Sequence, residues 1–245
     1  MSEAITVTGI ILSSMPVGEA DRRIVLLTKE LGKISAFAKG ARRQSSALIG
    51  LTRPFIFGEF QVYVGRNSYT IYKAQAKEYF ENLVTDLDAI CYGYYFAEIA
   101  DYYSRENLDA TELINLLYIS LKALLKDQIP NSLIRCIYEL RMIAINGECP
   151  DFFTCLKCKR EDNIYLYSAR TNGVYCKDCA KDIYDGIVLS KDVLYTLQYI
   201  VTMPLTKLYN FVLNDETLTI LKKVVNCLEN TCFDKKFKSK DMILE

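Results

Sequence analysis

Residues 1–80 alternate between apolar and polar positions with a period of two, the mark of strands with one wet and one dry face. The pattern resolves into five runs: Ile5 to Ser14, Arg23 to Thr28, Lys33 to Lys39, Phe55 to Val64 and Tyr69 to Lys77. Turn chemistry separates them, with Pro16 and Gly18 in the first gap, Gly32 in the second, and Gly65-Arg66-Asn67-Ser68, which has hairpin length, in the last. Short strands with no helical period between them predict a small closed or partly open barrel. The oligonucleotide-binding (OB) type is the leading candidate, because it deals with exposed sheet edges in about this length.

From residue 82 the period becomes helical. Leu83 to Tyr103 is rich in Ala, Leu and aromatics, and the crowded Tyr92, Tyr94, Tyr95, Phe96, Tyr102 and Tyr103 read as helix packing. Asp109 with Glu112 resembles a capping box and predicts a second helix through Leu113, Leu117 and Leu121. Pro130 opens a third helix, with Leu133, Ile137 and Leu140 on one stripe and Gly147 as its stop. Ser190 begins another helix that ends near Pro204, and the last starts near Asp215. The basic tail, Lys235 to Lys240, reads as a solvated terminus, with contact to DNA as the alternative. The expected layout is an α+β multidomain chain: a barrel over 1–80, a helical domain in two parts over 81–150 and 187–245, and an insertion over 151–186.

Composition sharpens this picture through its asymmetry. The chain of 245 residues has no formal net charge, yet residues 1–80 hold 11 Lys+Arg against 6 Asp+Glu, and residues 81–150 hold 5 against 11. A basic barrel points to an anionic partner, and the acidic helical part is a better surface for proteins. The longest uncharged runs, Ala4 to Gly18 and Val193 to Thr206, fall short of the ~18 apolar residues of a membrane span, and Met1-Ser2-Glu3-Ala4 lacks the basic start of a signal peptide. A cytosolic protein without a membrane partner is expected. Its 9 Cys are then thiols or metal ligands rather than disulfides. Histidine is absent, which removes the commonest general base and the Ser-His and Cys-His nucleophile pairs. Glu19, Asp21 and Glu59 are too scattered to read as a magnesium-holding nuclease site.

The sharpest chemistry is Cys155-x2-Cys158, a gap, then Cys176-x2-Cys179. Each short turn aims two sulfurs at one point, and four thiolates complete a tetrahedral shell for a structural zinc ion. Ile164 to Ser168 and Val174-Tyr175, joined across Asn172-Gly173, read as the hairpin of a zinc ribbon. Redox dithiols or unrelated free thiols are the competing readings. Cys91, Cys136, Cys149, Cys227 and Cys232 lack paired spacing and read as buried or half-buried residues.

The second signal is basic. In the third predicted strand, Ile34, Ala36 and Ala38 share one face while Lys33, Ser35, Phe37 and Lys39 share the other, an aromatic between two cations, as surfaces for single-stranded nucleic acid use. Phe37 is alternatively a core residue, and the lysines plain solvated charges. Gly40, Arg42, Arg43 and Gln44-Ser45-Ser46 follow as a flexible basic loop able to wrap phosphates, with Arg53 and Arg66 extending the patch.

The ordered set Gly9-Ile10-Ile11-Leu12, Gly18-Glu19-Ala20-Asp21, Leu27-Thr28, Gly32-Lys33 and Ala38-Lys39-Gly40-Ala41-Arg42-Arg43 resembles the amino-terminal pattern of the bacterial RecO family. Glu139-Leu140-Arg141, Gly147, Pro150 and Cys155 extend the likeness into the cysteine cluster, which some RecO-like proteins lack. The resemblance implies a non-enzymatic mediator of recombinational repair, located in the bacterial cytoplasm at the nucleoid. It implies binding of single- and double-stranded DNA, annealing of complementary strands, and loading of RecA with RecR on strands covered by single-strand-binding protein, whose C-terminal tail the family engages. A barrel-plus-ribbon scaffold for RNA or proteins in transcription or translation is the alternative.

Overall fold

A computed structural model describes residues 4–66 and 68–243, so Asn67 of the predicted hairpin turn and the first three residues of the N-terminal stretch lie outside the described residues. The chain divides into two compact units, one running to Leu125 and taking in a tail from Phe237, the other spanning Lys126–Lys236. The division falls inside the span expected as the first helical part.

The first unit is built on β1 (Ala4–Val17), β2 (Asp21–Thr28), β3 (Gly32–Ala38), β4 (Phe57–Val64) and β5 (Tyr69–Glu78). They close into a five-stranded barrel in the order β1-β2-β3-β5-β4, with β3 and β5 parallel and the other pairs antiparallel, an OB-type topology without free edges. Alternation is cleanest in β3, where Ile34, Ala36 and Ala38 are buried among Val7, Ile24, Leu26, Phe60, Val62 and Ile71. Gly32 opens β3 at φ 64°, and a Cβ there would lie 2.2 Å from the Arg105 carbonyl oxygen, so no other residue fits that turn.

Three helices follow: α1 (Glu81–Thr85), α2 (Leu87–Tyr103) and α3 (Thr111–Ala123). Asp86 caps α2 by accepting the N–H groups of Asp88 and Ala89, each at 3.0 Å. The capping box expected at Asp109 does not form, because Ala110 is the N-cap of α3 and contributes no side-chain hydrogen bond, while Asp109 accepts the Thr111 N–H at 2.9 Å from one residue further out. The tyrosine stripe is largely packed, with Tyr92, Tyr95 and Phe96 buried. The tail corrects the sequence reading. Phe237 is buried edge-on against Tyr95 and Tyr102 at 5.9 and 5.7 Å, and the 3₁₀ turn Lys238–Met242 is held by the Ser239 N–H donating to Glu98 at 3.0 Å. One apolar ring inside a lysine run anchors a segment that its charge marked as solvated.

The second unit packs α4 (Asn131–Ile145), α5 (Lys191–Thr202) and α6 (Asp215–Cys232) together. Pro130 precedes α4 as expected, and Gly147 ends it at φ 76°, with the Glu148 N–H returning to the Ile143 carbonyl at 3.1 Å. Arg135 and Glu139 pair at 3.0 Å in full burial, and Arg135 also donates to Asn226 of α6 at 3.1 Å. Arg141 donates to the Ile200 and Val201 carbonyls, capping the last turn of α5. Ser190 and Asn214 cap α5 and α6 through the N–H groups of Val193 and Thr217. Between α4 and α5 lies the ribbon: β6 (Ile164–Ser168), β7 (Gly173–Cys176) and β8 (Gly186–Val188), in the order β7-β6-β8.

Candidate metal centre and nucleic-acid interface

The first cysteine knuckle is closed by its own backbone. The Cys155 N–H donates to the Arg160 carbonyl at 2.8 Å, the Lys159 N–H returns to the Cys155 carbonyl at 2.9 Å, and Lys159 turns the chain at φ 62°. Backbone N–H groups of Cys158, Cys176 and Lys157 point at the Cys155 sulfur. Cys176 is the last residue of β7, and Cys179 starts the 3₁₀ turn Cys179–Asp182. All four sulfurs lie within 4.8 Å of one another, and the Cys158–Cys176 Sγ separation is 3.7 Å. A tetrahedron with metal–sulfur bonds of about 2.3 Å has edges of about 3.8 Å, so spacing and donor chemistry both fit a metal ion.

Arg160 braces the cluster from outside. Its guanidinium donates to Cys158 Sγ at 3.4 Å, to Cys176 Sγ at 3.5 Å and to Asp178 at 2.7 Å. The Arg160 hydrogen bond draws the Cys158 thiol down to about 6, so at neutral pH it is the thiolate that ligation requires. Sequence spacing singled out the four clustered cysteines but not this arginine.

The basic surface is organised by the segment after β3. It is not the flexible loop its polar composition predicts. Ala41 and Leu48 are buried in the barrel core, Thr52 is buried with its hydroxyl on the Leu48 carbonyl at 2.8 Å, and Gly40 N–H donates to Asp21 at 2.7 Å. The Arg42 N–H reaches the Ala20 carbonyl at 2.8 Å and its guanidinium the Gly18 carbonyl at 3.1 Å. Single apolar residues inside a polar run are the signal that composition hid.

Arg42 and Arg53 are exposed and flank Arg22, which is half-buried at the mouth of the barrel. Arg22 donates to Ser14 Oγ at 3.3 Å and to the Thr52 carbonyl at 3.1 Å. Burial lowers its pKa, and Arg53 and Arg42 lower it further, which shows three guanidinium groups sharing one field. Lys39 and Arg43 are exposed on the same segment, and Arg66 is exposed in the β4–β5 connection. Phe37 is half-buried on the outer face of β3, where it pairs with Arg23 of β2. Lys33 stands apart: its ammonium binds the Asp101 carboxylate at 3.1 Å and the Asp101 carbonyl at 2.6 Å. Its charge is matched within the fold.

Comparison with known proteins gives the family. The family model described as Recombination protein O N terminal matches residues 1–80, and that described as Recombination protein O C terminal matches residues 84–241. The chain belongs to the RecO family. It is 30% identical to the DNA repair protein RecO of Acetivibrio thermocellus, over 96% of this chain and 94% of that protein. It is also 30% identical to that of Bacillus subtilis, over 89% and 85%. With the RecO of Alkaliphilus metalliredigens the identity is 33% over 70% of each. The boundary between the two RecO models coincides with the end of the barrel, and the basic surface and the cysteine cluster fall in separate halves. This RecO-family DNA repair protein has, among its described residues, no helix long and apolar enough to cross a membrane. Arg22 and Arg23 are basic residues that the sequence pattern did not single out: Arg23 opens the predicted second strand and Arg22 immediately precedes it.

Proposed function

We propose that the protein is a non-catalytic recombination mediator that holds DNA on its barrel and acts by bringing strands together. The observation that carries this reading is the convergence of Arg22, Arg42 and Arg53 at the barrel mouth, with Lys39, Arg43 and Arg66 exposed around it. Phosphate contacts of this kind bind single and double strands without reading sequence. Two complementary strands held on such a surface meet at raised local concentration and with less backbone repulsion, so annealing accelerates without covalent chemistry. With RecR as partner, and with single-strand-binding protein held through its C-terminal tail, the same handover exposes a strand to RecA in the bacterial cytoplasm. The metal is zinc, one ion per chain, held by Cys155, Cys158, Cys176 and Cys179. Four sulfur ligands complete its shell and leave a structural role.

The test is anisotropy of labelled oligonucleotides across a salt series, followed by addition of the complementary strand. Replacing Lys39, Arg42 and Arg43 by Ala lowers the log–log salt slope by about 0.7 per lost contact on single strands and weakens all sequences alike. An unchanged slope, or a wild-type protein that does not bind DNA, removes the proposal.

A further inference from the structure

The outer face of the barrel carries an exposed aromatic pair. Tyr63 of β4 and Tyr72 of β5 stack at 4.3 Å between ring centroids and 27° between planes, yet 39% and 42% of their surfaces remain exposed. The pair exists because of a bulge. Gln61 pairs with Lys73 and Val62 with Ile71, which leaves Tyr72 as the extra residue of β5. Tyr72 and Lys73 are consequently both exposed where alternation would have turned one of them inward. Bulges re-aim side chains in this way beside binding sites.

The ladders connect this pair to the basic surface. Paired residues point to the same face, and one outward row runs through Arg23, Phe37, Thr70 and Tyr63, each paired with the next across β2, β3, β5 and β4. At about 4.8 Å per strand, Phe37 and Tyr63 are separated by roughly 10 Å, within reach of a few consecutive nucleotides. Lys39 and Tyr72 are the residues that follow Ala38 and Ile71, the last pair of the β3–β5 ladder. Arg66 follows Val64 and Gly65 beyond Tyr63 and is exposed. Cations thus flank the aromatic row at both ends.

We infer that Tyr63 and Tyr72 form a base-stacking platform that selects single-stranded over double-stranded DNA. This rests on the reading of the barrel as a DNA surface and deepens it: phosphates meet the arginines and lysines, while unpaired bases lie on the tyrosine faces. A duplex keeps its base faces inside its own stack and cannot use the platform, so the tyrosines act on single strands alone. The strand crosses the barrel along the Arg23–Tyr63 row, and the two exposed ring faces supply affinity that salt does not screen.

A cross-strand aromatic pair also stabilises its sheet, so the test keeps the apolar cover and removes only the π faces. The double variant Tyr63→Leu/Tyr72→Leu is compared with Tyr63→Phe/Tyr72→Phe and with Lys39→Ala/Arg42→Ala/Arg43→Ala. Each is titrated against one oligonucleotide in single- and double-stranded form, with 2-aminopurine reporting stacking. Leu/Leu is expected to bind single strands roughly 10- to 100-fold more weakly, to keep its duplex affinity within about twofold, and to keep the wild-type salt slope. Phe/Phe restores single-strand binding and the 2-aminopurine signal. Wild-type affinity of Leu/Leu for single strands, or equal loss on both forms, overturns the platform while the DNA reading stands. Failure of the wild-type protein to bind either form overturns both.

Discussion

Barrel and ribbon solve the same problem, holding short strands together, with different means. The barrel closes its hydrogen-bond ladder and encloses Val7, Ile11, Ile24, Leu26, Ile34, Phe60, Val62 and Ile71 with five further apolar residues. The ribbon has a buried cluster of Cys155, Leu166, Tyr175, Cys176 and Ala180, in which two of the five members are candidate ligands. A closed apolar core is stable by itself, whereas a cluster of that size needs a metal or a disulfide to hold it. Both regions carry a candidate site, but only in the ribbon do candidate site residues also belong to the buried cluster.

The largest effect that can break this contrast is loss of a ligand. Cys158 is exposed, so Cys158→Ser leaves no cavity. It removes one corner of a candidate shell whose metal, as proposed, would contribute on the order of 10 kcal/mol to folding. Hydrogen exchange is expected to show loss of protection across β6, β7 and the knuckles, with the barrel amides unchanged and the bound metal falling from one per chain to none. Protection retained in the ribbon of the metal-free variant would show that its apolar cluster suffices. The converse substitution, Phe60→Ala, removes a fully buried ring from the barrel and is expected to cost about 3–5 kcal/mol there. Metal content should stay at one per chain, so the two variants fail in opposite regions.

The regions also differ in how much the sequence disclosed. Alternation placed β3 to within a residue, because Ile34, Ala36 and Ala38 are buried while Lys33, Ser35 and Phe37 are half-buried, as a period of two requires. The four-cysteine cluster was legible because knuckle spacing is a local property, and all four sulfurs converge. What stayed hidden is long-range. Lys33 is matched by Asp101, 68 residues away, and Arg22 is seated by Thr52, 30 residues away. The three-residue β8 is too short to show a period. The bulge at Tyr72 breaks the alternation on which strand prediction depends, and it is there that the barrel's exposed tyrosine pair sits. The lysine-rich tail illustrates the same limit, since Phe237 finds its pocket on α2, far away in the chain.

A smaller effect separates charge that tunes a ligand from charge that only decorates a fold. Arg160→Ala leaves the four sulfurs in place but removes the donor that draws Cys158 down to about 6. Metal affinity is expected to fall about 10- to 100-fold, as for other outer-shell partners. The pH dependence has a definite sign. With Arg160 present the Cys158 thiolate is formed above about pH 6. Without it the thiol returns toward its ordinary value of about 9, so ligation competes with protonation across the interval between. The deficit should therefore be largest at and below about pH 6 and shrink as the pH rises toward about 9. Competition with a chromogenic chelator at several pH values measures it, and a deficit independent of pH would mean that Arg160 only packs against the knuckle.

The smallest effect lies in the barrel unit. Glu78, at the end of β5, accepts a hydrogen bond from Lys122 of α3, which also sits 5.2 Å above the Phe80 ring. The Lys122 hydrogen bond holds the Glu78 carboxyl below its ordinary value, outweighing partial burial, and the N–H groups of Phe80 and Tyr79 assist. A carboxylate depressed in the folded state stabilises above its unfolded pKa, and that contribution fades as pH falls through the folded value. Both side chains remain partly exposed, at 40% for Lys122 and 26% for Glu78, so screening limits the pair to about 1 kcal/mol or less. Glu78→Gln should therefore lower the barrel unit's stability slightly at neutral pH, and denaturant titrations of variant and wild type should converge as the carboxylate protonates. The same substitution should leave metal content untouched. A loss of several kcal/mol, or one that persists at acid pH, would show that Glu78 holds the turn into α1 through its bonds to the Tyr79 and Phe80 N–H groups more than through its charge.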